Sequence, residues 1–236
     1  MTIDTAIEPE IALHPLDDPV RSSLRGAHRR FATWTGRIAR YHPEVAAFVG
    51  HPPALDDRDW LDLAAVLGPG GSTGLRGFGH VLPDGWTMLR EFDSVQLDGS
   101  ALRTEPDPAL EVLTGADVPE ILELIARTEP GPFAPRTIEM GTYLGIRERG
   151  RLVAMAGERM HPTGWTEISA VCTDAEFRGR GYASRLVRAV GAVVRERGEV
   201  PFLHAVAHNH TAISLYETLG FTLRKRSRVT LVRAPG

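Results

Sequence analysis

The sequence has 236 residues, of which 42% are hydrophobic and 24% are charged, a balance typical of a globular protein with a substantial core. Its formal charge of −3 at pH 7 provides no electrostatic attraction to nucleic acid or to an anionic membrane, so we expect neither as a partner. The single cysteine, Cys172, excludes an intramolecular disulfide and a multi-cysteine zinc site.

Two further features concern origin and location. Lys225 is the single lysine among 27 basic residues, and this bias towards arginine indicates GC-rich coding and a bacterial source. Residues 1–9 contain acids and no apolar segment of the kind found in signal peptides. No run of apolar residues reaches the length of a membrane span, so we expect a cytoplasmic protein.

The first hundred residues predict alternating helices and strands. We expect a loosely held arm at 1–20, which is rich in Pro and Asp, and an amphipathic helix at 21–38. A second helix is predicted at 59–67, where Gly68 ends it. Short strands are predicted at 45–49, 74–78 and 86–97.

The glycine-rich stretch 68–74 invites comparison with phosphate-binding loops. It contains no lysine and no helix signature follows it, so we interpret it as a flexible turn. Residues 98–108 combine turn-forming and acidic residues, and we place a domain boundary there. The chain is thereby divided into an N-terminal α/β domain of unassigned role, 1–105, and a second domain, 109–236.

The second domain is predicted to begin with a strand at 110–113 and a helix at 117–127, which opens on a capping-box pattern. A proline-rich loop at 129–135 follows. The next three strands are separated by short glycine-containing turns, which predicts an antiparallel meander. These strands are expected at 142–147, 152–160 and 165–173.

The segment 171–184 is the feature around which the second domain is organised. It leads from an apolar strand into Gly179 and Gly181, each preceded by an arginine, and a helix begins directly afterwards. Glycines at a strand-to-helix junction let successive backbone N–H groups point to one place, where the helix N-terminus also favours an anion. Arg178 and Arg180 add charged donors. These properties predict a cradle for a phosphorylated ligand.

Two other phosphate-binding motifs do not fit the sequence. The lone lysine, Lys225, follows an arginine, so there is no glycine-lysine-Ser/Thr P-loop. The dinucleotide fingerprint G-x-G-x-x-G is met only at Gly179 and Gly181, because Ser184 stands where its third glycine would be.

The pattern of the remaining chain is a helix ended by Gly198, a strand at 202–207, a helix capped by Asn209 and a closing hairpin. The hairpin is predicted from strands at 221–223 and 228–232. The predicted order of elements in the second domain is strand and helix, meander, helix, strand, helix and hairpin. This order predicts an α+β fold.

Two motifs resemble those of one family. Residues 178–183, Arg-Gly-Arg-Gly-Tyr-Ala, resemble the R/Q-x-x-G-x-G/A loop of the GNAT (Gcn5-related) N-acetyltransferase superfamily, which holds the pyrophosphate of acetyl-coenzyme A. Residues 209–221 resemble its second cofactor motif, N-x-x-A-x-x-x-Y-x-x-x-G-F. The resemblance is closest to the FR47-like branch and covers the chain from Leu110 onwards.

The resemblance implies a GNAT fold, with a mixed and largely antiparallel central sheet flanked by helices. The N-terminal domain is then an α/β extension, and a degenerate GNAT-like half is one hypothesis for it. Acetyl-CoA is the implied co-substrate, without a metal. Its predicted binding residues are Val171, Cys172, Thr173, Arg178, Gly179, Arg180, Gly181, Tyr182, Ala183, Ser184, Asn209 and Tyr216.

Acetyl transfer to an amine requires removal of a proton from the nucleophile and protonation of the departing thiolate. By the resemblance, Glu167 is the predicted base, since it precedes Arg178 by 11 positions as the base glutamate does in histone-acetylating relatives. Glu158 and ordered water remain alternatives. Tyr216 is the predicted acid, and backbone N–H groups around Val171 are the predicted donors to the thioester oxygen.

Other reactive residues are assigned structural roles. Nothing in the sequence supplies a base that would activate Cys172 as an acyl carrier, so direct transfer in a ternary complex is preferred. His204, His208 and His210 lack a fourth ligand at a suitable spacing and are interpreted as structural.

The sequence therefore predicts an acetyl-CoA-dependent N-acetyltransferase, monomeric or homodimeric, acting on a primary amine of a small molecule, an amino acid or a peptide. A non-catalytic acyl-CoA-binding or regulatory module on the same fold is the alternative. The acceptor is expected to contact loops such as 130–136.

Overall fold

A computed structural model describes residues 14–77, 79 and 82–236. Most of the predicted arm at 1–20 lies outside these residues. From residue 19 the chain forms helix α1 (Pro19–Arg25), in which Pro19 occupies the first turn and the Asp18 side chain accepts a hydrogen bond from the backbone N–H of Arg21.

The predicted helix at 21–38 is wrong beyond residue 25. Gly26 ends α1, and the chain then forms strands β1 (Ala32–Thr35) and β2 (Ile38–Tyr41), joined by a turn in which Gly36 has φ 53°. Of the apolar residues at helical spacing, Leu24, Phe31 and Ile38 are buried, each in a different element, whereas Ala27 and Trp34 are exposed. A short strand, β3 (Val49–Gly50), completes a three-stranded antiparallel sheet.

Helix α2 (Asp57–Leu67) confirms the second predicted helix. It begins with a reciprocal capping box between Asp56 and Asp59 and ends at Gly68, which has φ 77°. A turn follows at the start of the predicted flexible stretch 68–74, closed by a hydrogen bond from the backbone N–H of Gly71 to the carbonyl of Gly68, whereas the residues from Ser72 onwards form a strand.

The main sheet of the described residues contains eight strands. In chain order they are β4 (Ser72–Arg76), β5 (Thr87–Asp98), β6 (Glu111–Leu113), β7 (Tyr143–Glu148), β8 (Arg151–Glu158), β9 (Trp165–Thr173), β10 (Val200–Val206) and β11 (Thr222–Arg233). Their order across the sheet is β4-β11-β5-β10-β9-β8-β7-β6, and β9 and β10 form the one parallel pair. Helices α3 (Val118–Thr128), α4 (Tyr182–Glu196) and α5 (His210–Leu219) flank the sheet, which confirms the predicted α+β class.

The predicted closing hairpin is wrong, because 222–233 forms one long strand, β11. This strand pairs with β5 on one side and with β4 on the other, and both partners precede the predicted domain boundary. The main sheet therefore contains strands from both sides of residues 98–108. The division into the domains 1–105 and 109–236 stays a prediction.

The two faces of the main sheet are covered differently. Leu203 of β10 and Ile168 of β9 face a core shared with α4 and α5. Phe202, the neighbour of Leu203, lies on the opposite face and packs against residues of the N-terminal segment such as Leu16 and Tyr41. Residues 14–50 thus form a layer over one face of the sheet, beside α3.

His28, a buried residue of this layer, packs against the largely buried His161. The rings of His28 and His161 lie 4.8 Å apart. His28 bonds through its two ring nitrogens to the Tyr41 hydroxyl, at 2.8 Å, and to the Met140 carbonyl, at 3.1 Å. Burial lowers the pKa of both histidines to about 4, and the nearby Arg197 guanidinium adds to the effect on His161.

Stability should therefore fall as the pH drops below 6.5. Each of these histidines stays neutral in the folded protein, whereas the unfolded chain takes up a proton near pH 6.5, so protonation favours unfolding. For one such group the free energy of unfolding should fall by about 2 kcal/mol between pH 7.5 and pH 5. Urea denaturation at both pH values should show a smaller loss for His161→Gln. The control His210→Gln, at an exposed position, should lose as much stability as the wild type. A loss of stability in His161→Gln equal to that of the wild type would contradict the assignment of His161 as a buried neutral histidine.

Candidate active site

The glycine loop has the geometry of an anion-binding nest. Gly179 and Gly181 both have φ 77°, and Gly181 is the N-cap of the 15-residue helix α4. In the described chain, the backbone N–H groups of residues 179–184 have no hydrogen-bond acceptor, and the loop is exposed. Six consecutive unpaired donors at a helix N-terminus form a site for a phosphate group.

Two arginines place positive charge at this loop. The Arg178 Nε donates to the Thr173 carbonyl at 3.3 Å, which ties the loop to the end of β9. The Arg180 guanidinium lies over the ring of Phe177, 4.8 Å from its centroid. Both guanidinium groups belong to exposed residues and can reach a bound anion.

A gap opens between β9 and β10 close to the loop. The two strands pair only between Trp165–Glu167 and Val200–Phe202, and beyond that point β10 pairs with β5 alone. The other edge of β9 contains a bulge opposite β8, where Ala170 has φ 52°. Facing β10, residues 168–173 have no strand partner within the described chain, so their peptide groups can bind an extended ligand.

Tyr216 lies in the core behind this gap. Its ring packs edge-on against Phe221, with centroids 5.9 Å apart, while its hydroxyl has no hydrogen-bond partner among the described residues. Burial raises the pKa of Tyr216 to about 12, and the nearby Cys172 adds to this rise. The phenol therefore keeps its proton at neutral pH. Asn209 caps the same helix, since its Oδ1 accepts from the backbone N–H of Ala212 at 3.1 Å.

Glu167 lies at the point where β9 and β10 diverge, fully buried. Arg159 donates to both of its carboxylate oxygens, at 2.8 and 2.7 Å, and the Nδ1 of His204 lies 2.6 Å from Oε1. Burial alone would raise the pKa of Glu167, but Arg159 and His204 outweigh it and hold this pKa well below its usual range. The side chain is an ionised carboxylate whose acceptor positions are already used.

These contacts disfavour Glu167 as the predicted base. A general base needs a free lone pair within reach of the amine and a pKa near the working pH. The alternative, Glu158, is also buried: its Oε2 accepts from the backbone N–H of Thr142 at 3.1 Å, and the Arg197 Nη1 lies 2.9 Å from its Oε1. Burial raises the pKa of Glu158 above its usual value.

The predicted structural residues are distributed around the site. Cys172 is buried and its pKa is raised to about 11 by burial, so it is a neutral thiol, unsuited to acyl transfer. His208 and His210 are exposed and do not join His204. The contact of His204 with Glu167 was not predicted from the sequence. It joins β9 to β10, and a contact between strands that are distant in the chain leaves no local signal in the sequence. No cluster of metal-ligating side chains, and no helix long and apolar enough to cross a membrane, occurs in residues 14–77, 79 and 82–236.

Comparisons with known proteins agree with this geometry. Residues 143–229 match the model of the FR47-like protein family. The chain is 33% identical over 138 residues to the N-alpha-acetyltransferase RimI of Mycobacterium tuberculosis, an alignment that covers 52% of this chain and 85% of RimI. It is 38% identical to a GNAT-family protein of known structure from Novosphingobium aromaticivorans DSM 12444. That likeness has a TM-score of 0.85 and covers 94% of this chain and all of the other.

The chain belongs to the GNAT superfamily. Within it, the FR47-like branch is the one that matches. A GCN5-related N-acetyltransferase from Kribbella flavida shares the fold over 92% of this chain and 94% of its own length, with a TM-score of 0.61 at 18% identity. Both the N-terminal layer and the main sheet therefore recur in other GNAT structures.

In this GNAT protein the loop, the strand gap and Tyr216 lie within one continuous region, which follows from the strand order. Gly179 and Gly181 directly follow β9, whose unpaired edge forms one side of the gap. Tyr216 lies on α5, which directly follows β10, the other side of the gap. The ionised Glu167 and its two partners close the gap at its narrow end.

Removing the charge of Glu167 should destabilise the fold. In Glu167→Gln the buried guanidinium of Arg159 would lose its counter-ion, and breaking a buried pair in this way costs roughly 3 kcal/mol. Glu105→Gln is the matched control, since Glu105 bonds to Arg188 at 2.8 Å but is 67% exposed. Its free energy of unfolding should change by less than about 1 kcal/mol. Urea unfolding at neutral pH compares the two, and equal effects would refute the buried-pair assignment.

Proposed function

We propose that this GNAT protein transfers an acetyl group from acetyl-CoA directly to a primary amine in a ternary complex. The observation that carries the proposal is the row of unpaired N–H groups at residues 179–184, which follows the unpaired edge of β9 after a short turn. The first suits the pyrophosphate of the co-substrate, and the second suits its extended amide-containing arm. The 33% sequence identity to an N-alpha-acetyltransferase supports an α-amine as the acceptor.

The residues that would hold acetyl-CoA are those of the loop and the strand edge. Acetyl-CoA supplies an activated acetyl thioester and a thiol leaving group. Main-chain groups of Val171, Cys172 and Thr173 would bind its arm, and residues 178–184 would bind its phosphates. Asn209 would contribute by fixing the start of α5, because its side chain is already used as a cap.

Tyr216 is proposed as the general acid. The amine nitrogen bonds to the acetyl carbon while the carbon–sulfur bond breaks. Tyr216 gives the departing sulfur a proton and regains one from solvent, and the surplus proton of the amine passes to water. The free hydroxyl of Tyr216 and its pKa of about 12 suit this role, since the proton is held until a thiolate develops.

Glu167 is proposed as a positioning residue in place of a base. Its carboxylate holds the guanidinium of Arg159 and the imidazole of His204 at the narrow end of the gap. Of the two alternatives that the sequence left open, Glu158 is engaged by Thr142 and Arg197, so ordered water is proposed to accept the proton of the amine.

The same engagement of Glu167 favours a second candidate, a non-catalytic acyl-CoA-binding module. Such a protein would keep the loop and the strand gap but would need neither a base nor an acid. The two candidates differ in whether the hydroxyl of Tyr216 matters once acetyl-CoA is bound. A cytoplasmic location, a bacterial source and a monomeric or homodimeric state stay predictions.

Tyr216→Phe should separate chemistry from binding. Because the hydroxyl has no partner in the described structure, its loss should leave the fold and the Kd for acetyl-CoA unchanged, while kcat falls about a hundredfold. Tyr143→Phe is the control, since it removes, from a side chain on β7, a tyrosine hydroxyl that has no hydrogen-bond partner within the described ranges. Calorimetry and an acetylation assay on a panel of primary amines measure both quantities. Turnover unaffected in Tyr216→Phe would remove the acid role, and no turnover with any amine would favour the binding module.

Gly181→Ala should weaken acetyl-CoA binding through the loop conformation. Alanine strains the backbone at φ 77° by about 1 kcal/mol and would turn the N–H groups away from one another. The expected result is an increase of about tenfold in Kd, the value of one charge-assisted hydrogen bond. Gly198→Ala is the control, because Gly198 has φ 75° with similarly open surroundings at the far end of α4. Equal Kd values for the two variants would contradict the proposed cradle.

A further inference from the structure

A small cavity lies between the N-terminal layer and the loop that follows α3. Its volume is about 160 Å³. One wall comes from residues 43–48 and the other from residues 132–137, with Phe48 and Phe133 as the largest side chains. A cavity of roughly 150 Å³ can hold a single aromatic ring, so this one has room for one side chain and not for a drug-sized molecule.

The lining of this cavity is apolar apart from two residues. The hydroxyl of Thr137 is already used, because it donates to the Val45 carbonyl at 2.6 Å and accepts from the backbone N–H of Ala134 at 2.8 Å. Arg159 is the one charged residue that lines the cavity in the described chain, and no acid lines it. The environment therefore favours an uncharged group and disfavours a second cation.

Arg159 connects the cavity to the gap between β9 and β10. Its Nε and Nη2 bond to Glu167, its guanidinium lies 4.9 Å from the centroid of Phe48, and its Nη1 has no hydrogen-bond partner among the described residues. Glu167 stands where the two strands diverge, next to His204. The Arg159–Glu167 ion pair would thus be all that separates a group in the cavity from the narrow end of the proposed acetyl-transfer site.

We propose that the cavity binds the side group of the acceptor, so that the preferred substrate is a primary amine next to a small, uncharged, apolar side chain. This rests on the proposed function. Residues 43–48 then select the acceptor, which gives the N-terminal layer a role in specificity. The Nη1 of Arg159 is a donor for a carbonyl of the acceptor, such as the one that follows an α-amine. Polyamines and other acceptors with a second positive charge are disfavoured, because no acid of the described chain lines the cavity to pair with that charge.

Amides of leucine, lysine and glutamate provide the direct test, since they share the α-amine and differ in the side chain. The amide of leucine should have kcat/KM about tenfold or more above those of the other two, which is the discrimination that one apolar group supplies. A short peptide amide that begins with leucine distinguishes a peptide acceptor from a free amino-acid derivative. Binding of the same amides to the protein with CoA present is measured by calorimetry, independently of turnover.

Filling the cavity from either wall should remove this preference. Ala47→Phe and Ala134→Phe add a ring to opposite walls, and each should raise the KM for leucine amide about tenfold without changing the KM for acetyl-CoA. Ala65→Phe, on an exposed position of α2, is the matched control and should change neither. Circular dichroism confirms that the variants are folded, and two variants on separate walls guard against the failure of one.

The outcomes separate this inference from the proposed function. Leucine amide that is bound but not acetylated supports the cavity and overturns acetyl transfer. Two outcomes would overturn the proposed role of the cavity and leave acetyl transfer standing. In the first, the lysine amide is acetylated while leucine amide is neither bound nor acetylated. In the second, the preference for leucine amide persists in both filled variants. Neither binding nor acetylation of any amide overturns both.

Discussion

The limited pairing of β9 with β10 is the constraint on which the site depends. Parallel pairing holds for three residues of each strand, after which β10 continues against β5 and β9 continues against β8. Each strand is thus fixed on its outer side, and neither can turn to close the gap. The backbone groups on the two inner edges are left for water or a ligand, because unpaired peptide groups cannot stay buried and unsatisfied. The glycine loop adds further free donors at residues 179–184, so main-chain groups form most of the proposed binding surface.

Buried charge closes the narrow end of this gap. Glu167 would be costly to bury alone, but Arg159 and His204 together give its carboxylate three hydrogen bonds. His204 is bonded in turn to the amide of Gln96 at 3.2 Å, and the same amide donates to the Leu16 carbonyl at 2.8 Å. The N-terminal layer is therefore joined to the site by a continuous set of hydrogen bonds. Because these bonds run without a break from Leu16 to Glu167, the layer and the gap share one hydrogen-bonded network.

Local signals in the sequence predict the parts of this structure that local interactions form. Gly179 and Gly181 indicate the loop because few other residues adopt a positive φ, and Gly68 indicates the end of α2 for the same reason. Long-range pairing gives no such signal. The hairpin predicted within β11 is wrong because its partner strand, β5, lies more than a hundred residues earlier in the chain. Likewise, Glu167 is recognisable by its distance from Arg178, but its engagement by Arg159 and His204 depends on three strands coming together.

Burial also bears on the proposed role of Tyr216 as an acid. A phenol in water has a pKa near 10 and a thiol one near 8.5, so transfer from the first to the second is uphill. In this core the pKa of Tyr216 is raised to about 12, and that of the neighbouring thiol of Cys172 to about 11. Both rise by a similar amount because apolar surroundings disfavour either anion, so the difference between them stays close to that in water. A thiolate that develops in the same surroundings is a stronger base than it would be in water. The buried position of Tyr216, which a core role alone would also explain, thus raises the pKa of the proposed acid and that of a neighbouring thiol together.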